Sequence, residues 1–109
     1  MARKLPTNSA VNRGLRASSE NLKVWRKLRG LTQAQVAERA GISRDTVIRL
    51  ERGDGSVSFE NVLRVQRSLG VLEAAVAALD PYETDLGRAR SEELLPIRVR
   101  PRNLTRNRG

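Results

Sequence analysis

Two arginines that follow Gly41 are the residues of this chain best suited to contact a ligand. Arg44 and Arg49 lie five residues apart, so on a helix they share one broad face. The planar guanidinium presents a fork of donors that matches the two acceptors on the major-groove edge of guanine. Asp45 repels phosphate, but it can accept from the amino group of cytosine or pair with Arg49 across one helical turn. The pattern indicates contact with base edges, although each charge can also be a solvated surface group.

The chain offers little for catalysis. It contains no Cys and no His, which excludes disulfides, thiolate nucleophiles and the usual zinc and imidazole chemistry. No pair of carboxylates lies in an apolar context, and the Ser and Lys residues have no recognisable activating partner. We therefore expect no enzyme activity, no metal and no cofactor.

The charge is strongly positive and unevenly spread. The 109 residues carry 21 Lys and Arg against 12 Asp and Glu, a net charge of +9. This balance favours a polyanionic partner, first of all nucleic acid, although basic tails can also serve solubility alone. Residues 1–19 predict a disordered basic arm and residues 80–109 a second basic extension, which leaves residues 20–79 as the folded domain. No apolar run approaches the roughly 20 residues of a membrane span, so we expect a cytoplasmic, nucleoid-associated protein with no membrane contact.

Apolar spacing and capping residues predict five helices. The first four begin at a Ser or Thr cap and the fifth at residue 71, and each ends at a glycine or at a proline-containing pair. The predicted caps are Ser18 or Ser19, Thr32 with Gln35 as its capping-box partner, Ser43 and Ser58. The predicted stops are Gly30, Gly41, Gly53, Gly70 and Asp80-Pro81. The side chains expected on buried faces are Leu22, Trp25, Leu28 or Arg29, Val36, Ala37, Ala40, Val47, Leu50, Phe59, Val62, Leu63, Val65 and Leu69. Only residues 96–100 alternate in a way that fits a strand.

Gly41 marks a sharp corner between two short helices. A left-handed backbone there costs other residues free energy, and Ala37 lies where only a small side chain fits between crossing helices. This sequence of small residue, glycine and branched apolar residue is typical of a helix-turn-helix. With "LTQAQVAERAGIS" and "TVIRLERG", residues 20–79 resemble the XRE family of Cro-like and lambda-repressor-like domains. The alternative is a plain helical bundle in which the glycine corner is fortuitous.

The resemblance implies an all-α fold, a five-helix lambda-repressor-like DNA-binding domain with flexible basic N- and C-terminal tails. It also implies a sequence-specific transcriptional repressor that binds a palindromic operator in double-stranded DNA as a homodimer. The matching DNA-binding positions are Gln33, Ser43, Arg44, Asp45, Thr46, Ile48, Arg49 and Arg52. Arg26 and Glu51 match a structural ion pair between the first helix and the end of the third. The apolar residues that could pair two subunits, or instead close the monomer core, are Val71, Leu72, Val76 and Leu79.

Residues 80–100 lie outside the minimal domain and are similar to a C-terminal extension of some HipB-like antitoxins. Those are XRE-family repressors encoded beside a HipA-type kinase toxin, so the resemblance implies a segment that docks on a HipA-like toxin kinase. The candidate docking residues are Tyr82, Leu86, Leu94, Leu95, Ile97 and Val99. The alternatives are an untethered tail, a free-standing or phage-type XRE regulator without a toxin partner, and an RNA-associated coactivator-like protein. Few aromatic residues argue against an RNA surface built on base stacking.

Overall fold

The computed structural model describes residue 6 and residues 8–95, and its regular structure is helical. The helices are α1 (Ser9–Leu28), α2 (Gln33–Ala40), α3 (Arg44–Glu51), α4 (Phe59–Leu69), α5 (Leu72–Ala78) and α6 (Asp85–Leu94), with a 3₁₀ turn at Pro81–Glu83 before α6. The described residues contain no strand, which confirms the all-α class. They divide into two compact units, with the boundary between Ala75 and Val76. No helix within these described ranges is long and apolar enough to cross a bilayer.

Local capping explains where α2 begins and where the chain turns into α3. The Thr32 hydroxyl accepts from the Gln35 backbone N–H at 3.0 Å, and the Gln35 side chain accepts from the Thr32 N–H at 2.8 Å, as a capping box requires. Gly41 ends α2 with φ 72°, in the left-handed region. Ser43 then caps α3 by accepting from the Thr46 N–H at 3.1 Å. The predicted caps at Thr32 and Ser43 and the glycine corner are confirmed.

The core of the first unit packs α2 against α3 and α4. Val36 and Val47 have no exposed surface, and Ala37 is 4% exposed at the α2–α3 crossing. Full burial of a valine side chain stabilises a fold by about 1.5–3 kcal/mol, so the burial of Val47 holds α3 in the core. The buried apolar residues are Leu22, Val36, Ala37, Ala40, Val47, Leu50, Val65 and Leu69.

The first helix begins earlier than predicted. Asn8, rather than Ser18 or Ser19, is the N-cap of α1, and its side chain accepts from the Ala10 N–H at 2.7 Å. Ser19 is 4% exposed and lies inside the helix. The prediction of a disordered arm is therefore wrong over residues 9–19. The physical reason is that these residues add turns to a helix already anchored at Leu22, which costs no new nucleation.

Two aromatic residues predicted on buried faces lie at the surface. Trp25 is 39% exposed, lines an open groove with Leu15 and Val57, and has the Arg29 guanidinium 5.3 Å from its ring centroid. Phe59 is 75% exposed at the first position of α4. Leu28 is 70% exposed as well. The small side chains of α2 and α3 close the core without these large groups.

The second unit contains the helix α6. The sequence predicted a basic tail here, because it has no apolar residues at helical spacing. Asp80 caps the 3₁₀ turn by accepting from the Tyr82 N–H at 2.9 Å, and Thr84 caps α6 by accepting from the Gly87 N–H at 2.9 Å. An added Cβ at Gly87 would overlap the carbonyl of Pro81, so glycine permits this tight turn. The prediction of a flexible tail is wrong for residues 85–94, because short-range caps support a helix that has no long apolar stripe. The possible strand at residues 96–100 lies outside the described residues.

Candidate nucleic-acid interface

α3 turns one face to the core and leaves the other accessible. Val47 and Leu50 are buried, whereas Ser43, Arg44, Asp45 and Arg52 are exposed. The remaining predicted DNA-binding residues of this helix, Thr46, Ile48 and Arg49, are half-buried. α3 is only eight residues long, so its first turn carries most of the accessible polar atoms.

A cleft of about 360 Å³ lies between α3 and its neighbours, and most of its charged groups are cations. It is lined by Lys23, Gln33, Arg44, Ile48, Glu51 and Arg52. Four of these residues were predicted to bind DNA, and Lys23 was missed. The sequence position of Lys23 could have indicated its exposure. It directly follows buried Leu22, so its side chain lies about 100° around α1 from the side chain that enters the core.

A buried ion pair ties α1 to the end of α3. The Arg26 Nε donates to Glu51 Oε2 at 2.7 Å and its Nη2 donates to Oε1 at 3.0 Å, and the two side chains are 12% and 7% exposed. A third donor of Arg26 reaches the Leu31 carbonyl at 3.0 Å. The hydrogen bonds and charge of Glu51 raise the pKa of Arg26 above its ordinary value, although burial opposes the rise. The structure thus contains the ion pair predicted between these two positions.

The same carboxylate also orients Gln33. The Gln33 Nε2 donates to Glu51 Oε1 at 3.1 Å, so the first residue of α2 is held beside the last residue of α3. An amide has a second N–H and a carbonyl oxygen, which remain available at the cleft. Gln33 is therefore fixed in place by Glu51 and can still contact a ligand.

Arg49 is held between two carboxylates. Its Nε lies 3.5 Å from Asp45 Oδ2, one turn back on α3, and its Nη1 lies 3.8 Å from Asp54 Oδ2. The Arg49 Nε is buried and makes no hydrogen bond. The two contacts are therefore ion pairs without the paired hydrogen bonds of a bidentate arginine–carboxylate contact. Of the alternatives predicted for Asp45, the structure contains the pair with Arg49. Arg44, by contrast, forms no ion pair within the described part of the chain.

Ser43 and Thr46 serve the helix itself. Their hydroxyl oxygens are 2.8 Å apart, and Ser43 Oγ also accepts the Thr46 N–H. Because the Ser43 hydroxyl already makes these two hydrogen bonds within α3, it has fewer hydrogen bonds left to offer to a DNA base. Both residues nevertheless stand at the N-terminal end of α3, where helix-turn-helix proteins place base contacts.

Four of the six residues predicted to dock a protein partner lie in the described part of the second unit. Leu86, Leu94 and Leu95 are exposed by 72%, 62% and 48%, and Tyr82 is half-buried. Ile97 and Val99 lie outside the described residues. No group of three or more metal-ligating side chains occurs in the part of the chain that the structure describes.

Comparisons with known proteins agree with this geometry. The helix-turn-helix family matches residues 22–74, which include α2, the Gly41 corner and α3. An uncharacterized HTH-type transcriptional regulator of Methanothermobacter thermautotrophicus is 49% identical over 45 residues, 41% of this chain and 65% of that protein. A second one, from Methanocaldococcus jannaschii, is 36% identical over 50 residues, 46% of this chain and 76% of that protein.

The chain thus spans slightly less than two thirds of the first relative and about three quarters of the second. No solved structure matches it significantly. The matched region coincides with the core of the first unit and with the α1–α3 ion pair. The lambda-repressor-like architecture is thereby confirmed, and this chain belongs to the XRE-type helix-turn-helix family.

Proposed function

We propose that this protein is a sequence-specific transcriptional repressor that binds duplex DNA through α3. The observation that carries the proposal is the cationic cleft lined by Arg44 and Arg52, beside an α3 that Glu51 ties to α1. The first residues of such a helix contact base edges when it lies in the major groove. The exposed, unpaired guanidinium of Arg44 suits the two acceptors of guanine.

The charges assign different roles to the two candidate arginines. Arg44 keeps its full charge toward the ligand, whereas Arg49 is flanked by Asp45 and Asp54. The carboxylates orient the Arg49 guanidinium and lower its attraction for phosphate, which favours a base contact over a backbone contact. Gln33, which Glu51 orients at the start of α2, is the proposed donor to a phosphate there.

Duplex DNA fits this surface better than RNA. The cleft has no aromatic side chain in its lining, and Trp25 lines a different groove. Sequence-specific RNA recognition generally stacks unpaired bases on aromatic rings. An RNA bound at this cleft would therefore have no aromatic ring on which to stack its bases, which argues against a coactivator-like RNA role.

Selection from a random-sequence duplex library tests the proposal. The full-length protein is expected to enrich one motif and to bind a selected duplex about 10³-fold or more tighter than a scrambled duplex at physiological salt. A single-stranded RNA of the selected sequence is the competitor. Enrichment of no motif, or equal competition by the RNA, would contradict the proposal.

We further propose that the repressor binds as a homodimer at a palindromic operator. One recognition helix contacts only a few base pairs, and two-fold dimers bind half-sites about 34–36 Å apart. Support comes from Val76 and Leu79, which are 60% and 88% exposed at the end of α5. Sedimentation should show two chains on one selected palindrome. A single chain both in solution and on that duplex would refute the dimer.

An antitoxin role is the finer proposal, and it concerns the second unit. Leu86 and Leu94 are large apolar side chains left exposed on α6, and burial on a kinase-type toxin would remove them from water. Mass spectrometry of copurifying proteins should then identify such a partner. A free-standing regulator would bring down none.

The matched variants separate apolar docking from basic charge. Leu86→Ser with Leu94→Ser keeps Arg88 and Arg90, and we expect it to lose the copurified partner while DNA affinity at low salt is unchanged. A truncation after Leu79 should lose the partner as well. Undiminished partner binding by either variant would refute docking through α6.

A further inference from the structure

The N-terminal half of α1 is longer than the core requires. Residues 9–18 precede Ser19, the first buried residue of this 20-residue helix. Most side chains of that stretch are exposed, so packing of the core does not account for them.

This half of α1 nevertheless has a defined neighbour, the loop that leaves α3. A Cβ placed on Gly55 would lie 3.3 Å from a methyl of Leu15, and one on Gly53 would lie 3.9 Å from the Cα of Arg16 and 3.8 Å from its Cγ. The loop therefore runs directly beside this half of α1, with ordinary contact distances at Gly53 and a tighter approach to the Leu15 side chain at Gly55. Arg16 is thereby placed beside the C-terminal end of α3.

The loop itself supplies no cation. Residues 53–58 contain Asp54 and neither Lys nor Arg, and the Asp54 carboxylate accepts from the N–H and the hydroxyl of Ser56 at 2.8 and 2.7 Å. A phosphate passing the end of α3 therefore meets no positive charge from this loop. Basic residues beside this loop are Arg52 at the end of α3 and Arg16 on α1.

Arg16 and Lys23 lie on one face of α1, which Glu20 shares. They are seven residues apart, which places them about 20° apart around the helix and about 10.5 Å apart along its axis. Lys23 lines the cleft with Arg44 and Arg52. Neither Arg16 nor Lys23 forms an ion pair within the described residues. No carboxylate there is paired with either cation, so both can bind an anionic ligand.

We propose that Arg16 and Lys23 bind phosphates of the same duplex whose bases α3 contacts, so that the DNA interface extends along α1. The proposal rests on the proposed function and adds a second surface to it. Phosphodiester groups are the occupant because they alone repeat along the duplex with the negative charge that two unpaired cations on one face complement. The contact is independent of sequence, since neither side chain belongs to α3.

The salt dependence of binding tests the proposal in the full-length protein. Each neutralised phosphate contributes about 0.9 to the slope of log affinity against log salt, so Arg16→Gln with Lys23→Gln should lower that slope by about 2. The ratio of affinities for a selected duplex and a scrambled duplex should stay unchanged. The control is Arg39→Gln with Arg67→Gln, which removes the same charge from two exposed positions on α2 and α4 and should leave the slope near its original value.

Charge-preserving variants exclude a change in folding. Arg16→Lys with Lys23→Arg should restore the slope, and thermal unfolding followed by Trp25 fluorescence should be the same for all variants. An unchanged slope in the glutamine variant, or an equal fall in the control, would overturn the proposal. If the original protein bound selected and scrambled duplexes equally, the proposed function itself would fail, whatever the α1 variants did.

Discussion

Replacing Glu51 by Gln is the most informative single perturbation of this fold. Glu51 is 7% exposed and accepts hydrogen bonds from both Arg26 and Gln33. Glutamine keeps the shape but replaces one acceptor oxygen by a donor amide, which then faces a buried cation. Removing one partner of a buried pair destabilises by about 3–5 kcal/mol. Because the remaining amide oxygen can still accept one bond, we expect a loss of about 3 kcal/mol in the free energy of unfolding.

Urea unfolding followed by the fluorescence of Trp25 measures this loss, because it is the only tryptophan. The matched control is Glu60→Gln, which breaks the pair with Arg64 at 3.0 Å, where the two side chains are 73% and 46% exposed. An exposed pair of this kind contributes about 0.3–0.5 kcal/mol. Equal destabilisation by the two substitutions would refute the conclusion that Glu51 locks α3 to α1.

Glycine substitutions give three further predictions. Gly41→Ala should destabilise by about 1–2 kcal/mol because φ is 72° there, as measured by urea unfolding, and an unchanged midpoint would contradict it. Gly14→Ala should instead stabilise by about 0.5–1 kcal/mol, because Gly14 lies inside α1 with nothing within 4 Å of an added Cβ; a loss of stability would refute this. Gly87→Ala should disrupt the turn into α6, since the added Cβ overlaps the Pro81 carbonyl. Limited proteolysis should then cut within residues 80–95 while residues 20–75 stay protected, and equal protection in both forms would count against that geometry.

Local signals were enough to predict the helix-turn-helix. The Thr32 cap, the Gly41 corner and the Ser43 cap each depend on residues within a few positions of one another. The burial of Val36 and Val47 follows from helical spacing alone. The Arg26–Glu51 pair spans 25 residues, so it came from the family resemblance and not from local pattern.

The start of α1 and the second unit could not be predicted in the same way. The cap at Asn8 precedes a stretch with few large apolar residues that extends a helix anchored at Leu22, and the approach of Leu15 to Gly55 is a contact distant in sequence. The exposure of Trp25 depends on how its neighbours close the core around it. Lys23 was missed because only the packing of α1 beside α3 brings it into the cleft.

A sequence-specific repressor of this kind must recognise bases through α3. The direct measurement is the affinity of the full-length protein, Arg44→Ala and Arg49→Ala for a selected duplex and for every single-base-pair variant of it. Each alanine variant should lose about 1–3 kcal/mol on the selected duplex and should cease to discriminate at one base pair. If both variants weaken binding equally on every duplex, including a scrambled one, α3 contacts only phosphates and the central claim is wrong.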